Sequence, residues 1–312
     1  QLYNLIWFCN KVNIPFEVYA FTNDWNYRSS YDADGKVTSI PKEHTVHKEN
    51  ELVVDYTFGL LNLFSSKVKS SVLDTQLKNI YRVAKQYDRS GYRCKYSSPH
   101  KLSLSGTPLN ESLVALHQIL PHFQKEHKLQ KVQCVILTDG EATPLKYYRE
   151  VKRHWHNGES YLGWNYIQDN SYLRDRKTGN VYKFSEKNWN NNTSFTDLLL
   201  RNLRDKFPSV NFIGMRILDG RDAGHFVRNY TGYTDGTYDK VMSRWKKERS
   251  FAITSSGYHT YFGISSSALN SDSEFKVAED ASKAQIKSAF VKSLSSKKMN
   301  KKILGEFISL VA

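Results

Sequence analysis

The sequence predicts an α/β protein: a Rossmann-like arrangement with a mostly parallel central sheet and helices on both faces. Three observations carry that expectation. The runs near 16–21, 132–138 and 210–218 are almost continuously apolar, as strands buried on both faces are. Between them, apolar residues recur at intervals of three and four, the period of an amphipathic helix. Over 312 residues, 39% hydrophobic and 24% charged, there is enough apolar material for a large core.

Each element follows from its own pattern. The opening QLYNLIWFCNKV places Leu2, Leu5, Ile6 and Cys9 on one helical face with no capping residue before it. That predicts a chain that begins inside a helix, truncated before its first strand. The segment lacks the basic start and small-residue cleavage site of a signal peptide. IPFEVYAFTND reads as a buried strand with Pro15 at its entrance. Residues 23–50 read as an exposed loop or small hairpin, with turn signals at Asp34-Gly35 and Pro41. ELVVDYTF (51–58) is strand-like or irregular, and LLNLFSSKV is a short amphipathic stretch. Leu73, Leu77, Ile80 and Ala84 mark a helix ending near YDRSGY.

A second helix is expected from Pro108, since Leu109, Leu113, Leu116 and Leu120 share a face and helices tolerate proline at their first position. KVQCVILTDGEA is a buried strand ending in Thr138-Asp139-Gly140. Residues 145–192, rich in aromatic and charged residues, read as an insertion with a hairpin turning at Thr178-Gly179-Asn180. TSFTDLLLRNLRDKF and YDKVMSRWKKE read as helices, and VNFIGMRIL as a strand. FAITSSGYHTYFGI holds one or two strands, although 254–273 is Ser-rich and reads as looped. KAQIKSAFVKSL and KKILGEFISLVA read as helices, and the whole of 1–312 as a single domain.

The net charge of +14 favours an acidic partner, nucleic acid or an anionic protein surface, without a dominant basic run. No run of eighteen apolar residues is present, so no membrane span is expected. Cys9, Cys94 and Cys134 read as core thiols of a reducing compartment, with no zinc spacing.

Two motifs carry chemistry. SLSGTPLNESL puts Ser105 and the hydroxyl of Thr107 at the mouth of a helix, and VILTDGEA puts Asp139 at the carboxyl end of a strand, where open α/β sheets bind ligands. Taken singly, Thr107 reads as a helix cap and Asp139 as the head of an Asx turn. Taken together, a hydroxyl and a carboxylate suit a hard cation such as Mg²⁺, or Mn²⁺. Glu141 could steady the metal's waters, Ser105 could support the site or contact a partner, and Asp219 and Asp222, after the strand at 210–218, could shape the rim and contact a partner. His154 and His156, like His44 and His47, lack a third ligand. The chain has neither a Walker A pattern nor Gly-x-Ser-x-Gly.

The pair Gly-Thr-Pro-Leu-Asn-Glu and Thr-Asp-Gly resembles the second and third metal-binding segments of von Willebrand factor A (vWA) domains. More of the chain resembles the vWA proteins of tailed phages, described as similar to the CobT subunit of cobaltochelatase. The resemblance implies a metal-ion-dependent adhesion site, a binding module and not an enzyme. It implies Thr107 and Asp139 as metal ligands, with a partner's Asp or Glu completing the coordination. It also implies a MoxR-class AAA+ ATPase as partner, an acidic client protein, and a place in the cytoplasm of a bacterial host or in the virion. The family's first segment, Asp-x-Ser-x-Ser, is missing; Asp88-Arg-Ser90-Gly-Tyr92 imitates only its start. A chelatase subunit acting on a tetrapyrrole has no pocket signature here. The other reading is a phage structural or nucleic-acid-associated protein that grips DNA or RNA with its basic surface and with Trp155, Tyr161, Trp164, Tyr166 and Tyr172.

Overall fold

The computed structural model describes residues 2–23, 30–31, 37–38, 48–55, 57–86, 106–142, 144–152, 160–184, 191–231, 236–266 and short pieces at 281–282, 284–285 and 288–289. Ser105, Cys94, the His44 and His47 pair, Asp88 to Tyr92, His154 to His156 and nearly all of the two expected C-terminal helices lie outside the described residues.

The chain opens with α1 (Leu2–Lys11), β1 (Glu17–Asn23), the short strands β2 (Ser30–Tyr31), β3 (Val37–Thr38) and β4 (Leu52–Val53), then β5 (Phe58–Ser65) and α2 (Ser70–Gln86). It continues with α3 (Leu109–His127), β6 (Val132–Thr138), β7 (Lys146–Lys152), β8 (Ser160–Tyr166), β9 (Tyr172–Arg174) and β10 (Val181–Lys183). The last third holds α4 (Asn191–Lys206), β11 (Val210–Leu218), α5 (Asp222–Thr231), α6 (Thr237–Glu248), β12 (Ser250–Ile253) and β13 (Thr260–Ser265).

The protein is mixed α/β, as expected, but its sheets are more antiparallel than the sequence suggests. The principal sheet has the order β12-β13-β11-β6. β6, β11 and β13 run parallel, and β12 runs antiparallel to β13. The reason is the connection: only residues 254–259 join β12 to β13, and a link that short cannot make the crossover a parallel pair needs. The Ser-rich stretch expected as loop from 254 to 273 therefore contains a buried strand, β13. β1 pairs antiparallel with β5, and β4, β7 and β8 form a third, antiparallel sheet. Among the described residues β1 pairs only with β5 and β6 only with β11, so both sheets present an edge.

The core explains the helices. In α4, Phe195, Leu198, Leu199 and Leu203 recur at intervals of three, one and four, and all are buried. Leu109, Leu113 and Leu120 of α3, Phe226 and Val227 of α5 and Trp245 of α6 join them against Val210 and Phe212 of β11. Each such side chain contributes about 1.5–3 kcal/mol of burial. The sequence predicts helices on both faces. Among the described residues the opposite face of the sheet carries a cluster built from strands alone, Ile213, Phe262 and Ile264 with Met215 and Ala252. A third cluster joins Ile6 of α1 and Leu73 of α2 to Phe64 of β5. Lys67 links that unit to α3, with Nζ 3.5 Å from Glu17 and 2.5 Å from Glu126. Glycine matters in the sheet centre: a Cβ at Gly214 would lie 2.9 Å from the Tyr258 ring. Burial pushes the Cys9 thiol up to about 11 and the Cys134 thiol up to about 12, so both behave as inert packing groups.

The expected hairpin at 172–184 is present as β9 and β10, and Asp175 pins it to α4. Its carboxylate accepts from the backbone N–H of Lys177 (2.8 Å) and Thr178 (3.3 Å), from Asn202 Nδ2 (3.1 Å) and from Lys206 Nζ (2.9 Å). Burial alone would raise its pKa, but the hydrogen bonds from Lys206, Asn202 and the turn amides outweigh that and hold it well below the usual range. A carboxyl with a depressed folded pKa stabilises the fold above its unfolded value, about 3.9, and loses that contribution as pH falls through the folded value. Urea denaturation between pH 7 and pH 2 is expected to show stability falling below about pH 4. Asp175→Ala is expected to be less stable at pH 7 and to lose less on acidification; an unchanged acid slope contradicts this role.

Candidate functional site

Three chain segments meet at the carboxyl end of the strands. The first is Asn23, the last residue of β1. Gly106 packs directly on it: a Cβ there would lie 3.2 Å from Asn23 Cβ, and Gly106 holds the left-handed φ of +72° that glycine tolerates. The second segment is the entrance to α3, where Thr107 follows Gly106. The third is the turn after β6, where a Cβ built at Gly140 would collide with the Thr107 hydroxyl and lie 3.3 Å from Thr107 Cβ. Only a residue without a side chain lets the threonine sit over this turn, one position from Asp139. The structure thus brings Thr107 against the turn that carries Asp139, from 32 positions away along the chain.

The local hydrogen bonds differ from those read in the sequence. Pro108, not Thr107, stands at the cap position of α3, and Ser112 donates its N–H (3.1 Å) and its hydroxyl (2.9 Å) to the Pro108 carbonyl. Thr138, not Asp139, ties the turn: its hydroxyl donates to the Gly140 carbonyl at 3.0 Å and accepts from the Gly140 N–H at 3.1 Å. Among the described residues neither the Thr107 hydroxyl nor the exposed Asp139 carboxylate has a hydrogen-bond or ion-pair partner. No side chain caps α3, and Thr138 makes the turn, so neither of the ordinary uses of these two residue types is served by Thr107 or Asp139.

The surroundings hold the rim in place. Asn229 of α5 donates to Glu141 Oε1 at 3.2 Å, so Glu141 ties α5 to the turn. Asn110, fully buried in the first turn of α3, accepts from the Thr196 hydroxyl of α4 at 2.9 Å. Behind the turn lie Leu109, Ala142, Thr196 and Arg216 with Tyr230, Tyr258 and Tyr261. Arg216 stands in register with Thr138 across the β11–β6 pair. Burial pushes all three tyrosine hydroxyls up, so they remain protonated. Burial, against the helix's own amide bonds and with help from the Asp55 charge, also raises the Glu111 carboxyl.

Asp219 and Asp222 fall beyond the end of β11, as the sequence implied. Asp219 is already committed: Ser266 donates its hydroxyl to it at 2.8 Å, joining the ends of β11 and β13. Asp222 is exposed in the first turn of α5. Asn23, Thr138 and Asn229 do not stand out in the sequence, and only Thr138, inside the Thr-Asp-Gly motif, carries a signal.

The donor chemistry fits a hard divalent cation in kind. Thr107 and Asp139 offer uncommitted oxygens, and among the described residues no group of three His, Cys, Asp or Glu stands close enough to hold a metal ion. Two side chains leave most of an octahedral shell to water or to further oxygen ligands.

No protein-family model matches the chain, and no curated protein and no solved structure matches it.

The turn itself is testable. Thr138→Val removes both hydrogen bonds to Gly140 while keeping the shape of the side chain. It is expected to cost about 1–3 kcal/mol in urea denaturation; a loss close to zero would show that the turn holds without them.

Proposed function

We propose that the chain is a metal-dependent protein-interaction module of the vWA type. The observation that carries this reading is the packing of Thr107 against Gly140, which puts an uncommitted hydroxyl on the turn that carries the uncommitted Asp139 carboxylate. Thr107 and Asp139 would hold Mg²⁺ or Mn²⁺ directly. Gly140 keeps the approach open, Thr138 fixes the direction of the turn, and Glu141 braces α5 beside it. The bound cation supplies a positive centre with an open coordination position, and a carboxylate from a partner fits that position in charge and hardness. Asp222, exposed on the same side of β11, limits which partner surfaces approach.

The chemistry of the reading is binding. In support, β6 and β11 run parallel with their carboxyl ends together. Among the described residues β1 and β6 each have an unpaired edge, which would admit a further strand, and a segment of the Asp-x-Ser-x-Ser type there would supply the remaining oxygens. The same resemblance names the assembly: a MoxR-class AAA+ ATPase that performs work, and an acidic client that receives it. In that arrangement this chain is the coupling element.

Titration of the full chain with Mn²⁺, followed by the loss of the free-ion electron paramagnetic resonance signal, tests the reading. One saturable site is expected, competed by Mg²⁺. Asp139→Ala is expected to abolish it and Thr107→Val to weaken it by at least about 10-fold, on the scale of ligand-shell mutations. Binding unchanged in both variants would sink the proposal.

A further inference from the structure

The antiparallel sheet of the insertion carries an aromatic face that the metal-dependent reading leaves unused. In the β7–β8 pair Lys146 faces Tyr166, Tyr148 faces Trp164 and Glu150 faces Leu162, so these six side chains share one side of the sheet. The other side is turned inward in part: Leu52 of β4, in register with Tyr147, packs against the main core and Gly163 is buried there, although Arg149 and Tyr161 on that side are exposed. On the outward side Trp164 is 55% exposed and Tyr166 41% exposed. Their rings stand edge-to-face at 6.2 Å, and the Lys146 ammonium sits 3.5 Å above the Trp164 ring centre and 5.6 Å from that of Tyr166.

The second hairpin repeats the arrangement. Tyr172 is paired with Lys183 and Arg174 with Val181 on the side facing solvent, while Tyr182 is buried and Leu173 packs against the core from the other side. Arg176 in its turn reaches Glu51 beside β4 at 3.5 Å, so the two units are neighbours. Between 146 and 183 there are eight Lys or Arg against four Asp or Glu, and one of the four, Asp175, is already neutralised by Lys206.

We infer that this face binds single-stranded nucleic acid. Unpaired bases stack on Trp164 and Tyr166, and Lys146, Lys152 and Arg174 hold the phosphates. Every base has a π-face, so flat rings on a sheet accept single strands without a fixed sequence, whereas a duplex keeps those faces stacked internally. The cation already above Trp164 marks the ring as an electrostatic acceptor. On binding, a base takes the ring face and the Lys146 ammonium moves to the adjoining phosphate. Net charge of +14 over the chain gives the long-range attraction. This site is separate from the Thr107–Asp139 rim and independent of metal.

The test is a titration of the full chain into a fluorescein-labelled oligothymidylate longer than about 16 nucleotides. It is run at low salt with EDTA, reading anisotropy and tryptophan quenching. Saturable binding that weakens with salt is expected, together with a loss of about 5- to 100-fold in Trp164→Ala. Trp164→Phe is expected to retain most of the affinity, and Lys146→Gln to lower the salt dependence. Circular dichroism melts establish that the variants are folded. Absence of an anisotropy change at low salt overturns the inference. So does wild-type affinity in a folded Trp164→Ala, Tyr166→Ala double variant, or equal affinity for duplex DNA. Trp164-dependent self-association without oligonucleotide binding overturns it as well, assigning the face to a second copy of the chain. None of these outcomes bears on Mn²⁺ binding at Asp139, so the two readings fail separately.

Discussion

The close approach of Thr107 to Gly140 is the contact on which the site depends. It joins the mouth of α3 to the end of β6, and it exists only because position 140 has no side chain. Gly106, the residue before Thr107, acts in the same way by letting the chain press on Asn23 at the end of β1. Two glycines therefore draw three carboxyl-end segments into one rim. A methyl group at either position would push a loop away from the rim and separate Thr107 from the turn that carries Asp139.

What holds this arrangement is the core beneath it. α3 and α4 pack their leucine faces against β6 and β11, and the buried Asn110–Thr196 hydrogen bond locks one helix to the other just below the rim. The parallel pairing of β6 with β11 sets both strand ends at the same level. The tyrosines behind the turn fill the space with groups that remain neutral, so the local charge at the rim comes from Asp139 together with Glu141 and Arg216 of the lining. No side chain caps α3 and Thr138 ties the turn, so among the described residues both the Thr107 and the Asp139 oxygens are left uncommitted.

Much of this is legible in the sequence. β6 and β11 begin and end close to where their apolar runs do, because those runs are bounded by polar turn residues. α3 and α4 follow from the spacing of their leucines. The pairing of Thr107 with Asp139 is legible only through the motif, because spacing along a chain carries no information on distance in space. The strand directions are not legible: β12 and β13 have the apolar pattern of parallel strands, and only the length of their connection makes them antiparallel. α5 escapes a sequence reading because Ala223, Phe226 and Val227 are too few to make a period, and the polar Asp219-Gly220-Arg221-Asp222 before them reads as a turn. The β7–β8 sheet is hidden for a different reason. Both of its faces carry aromatic residues, so the alternation that marks a half-buried strand is absent.

The β7–β8 sheet and the rim differ chemically. One presents exposed rings and ammonium groups suited to bases and phosphates, the other hard oxygens suited to a cation and a carboxylate. The most direct measurement of the central claim is an anomalous difference map from crystals grown with Mn²⁺. A peak bonded to both Thr107 Oγ1 and an Asp139 carboxylate oxygen, with the rest of the shell made of oxygen, is the expected result. Manganese bound elsewhere, or a rim in which either side chain points away from the ion, would contradict it.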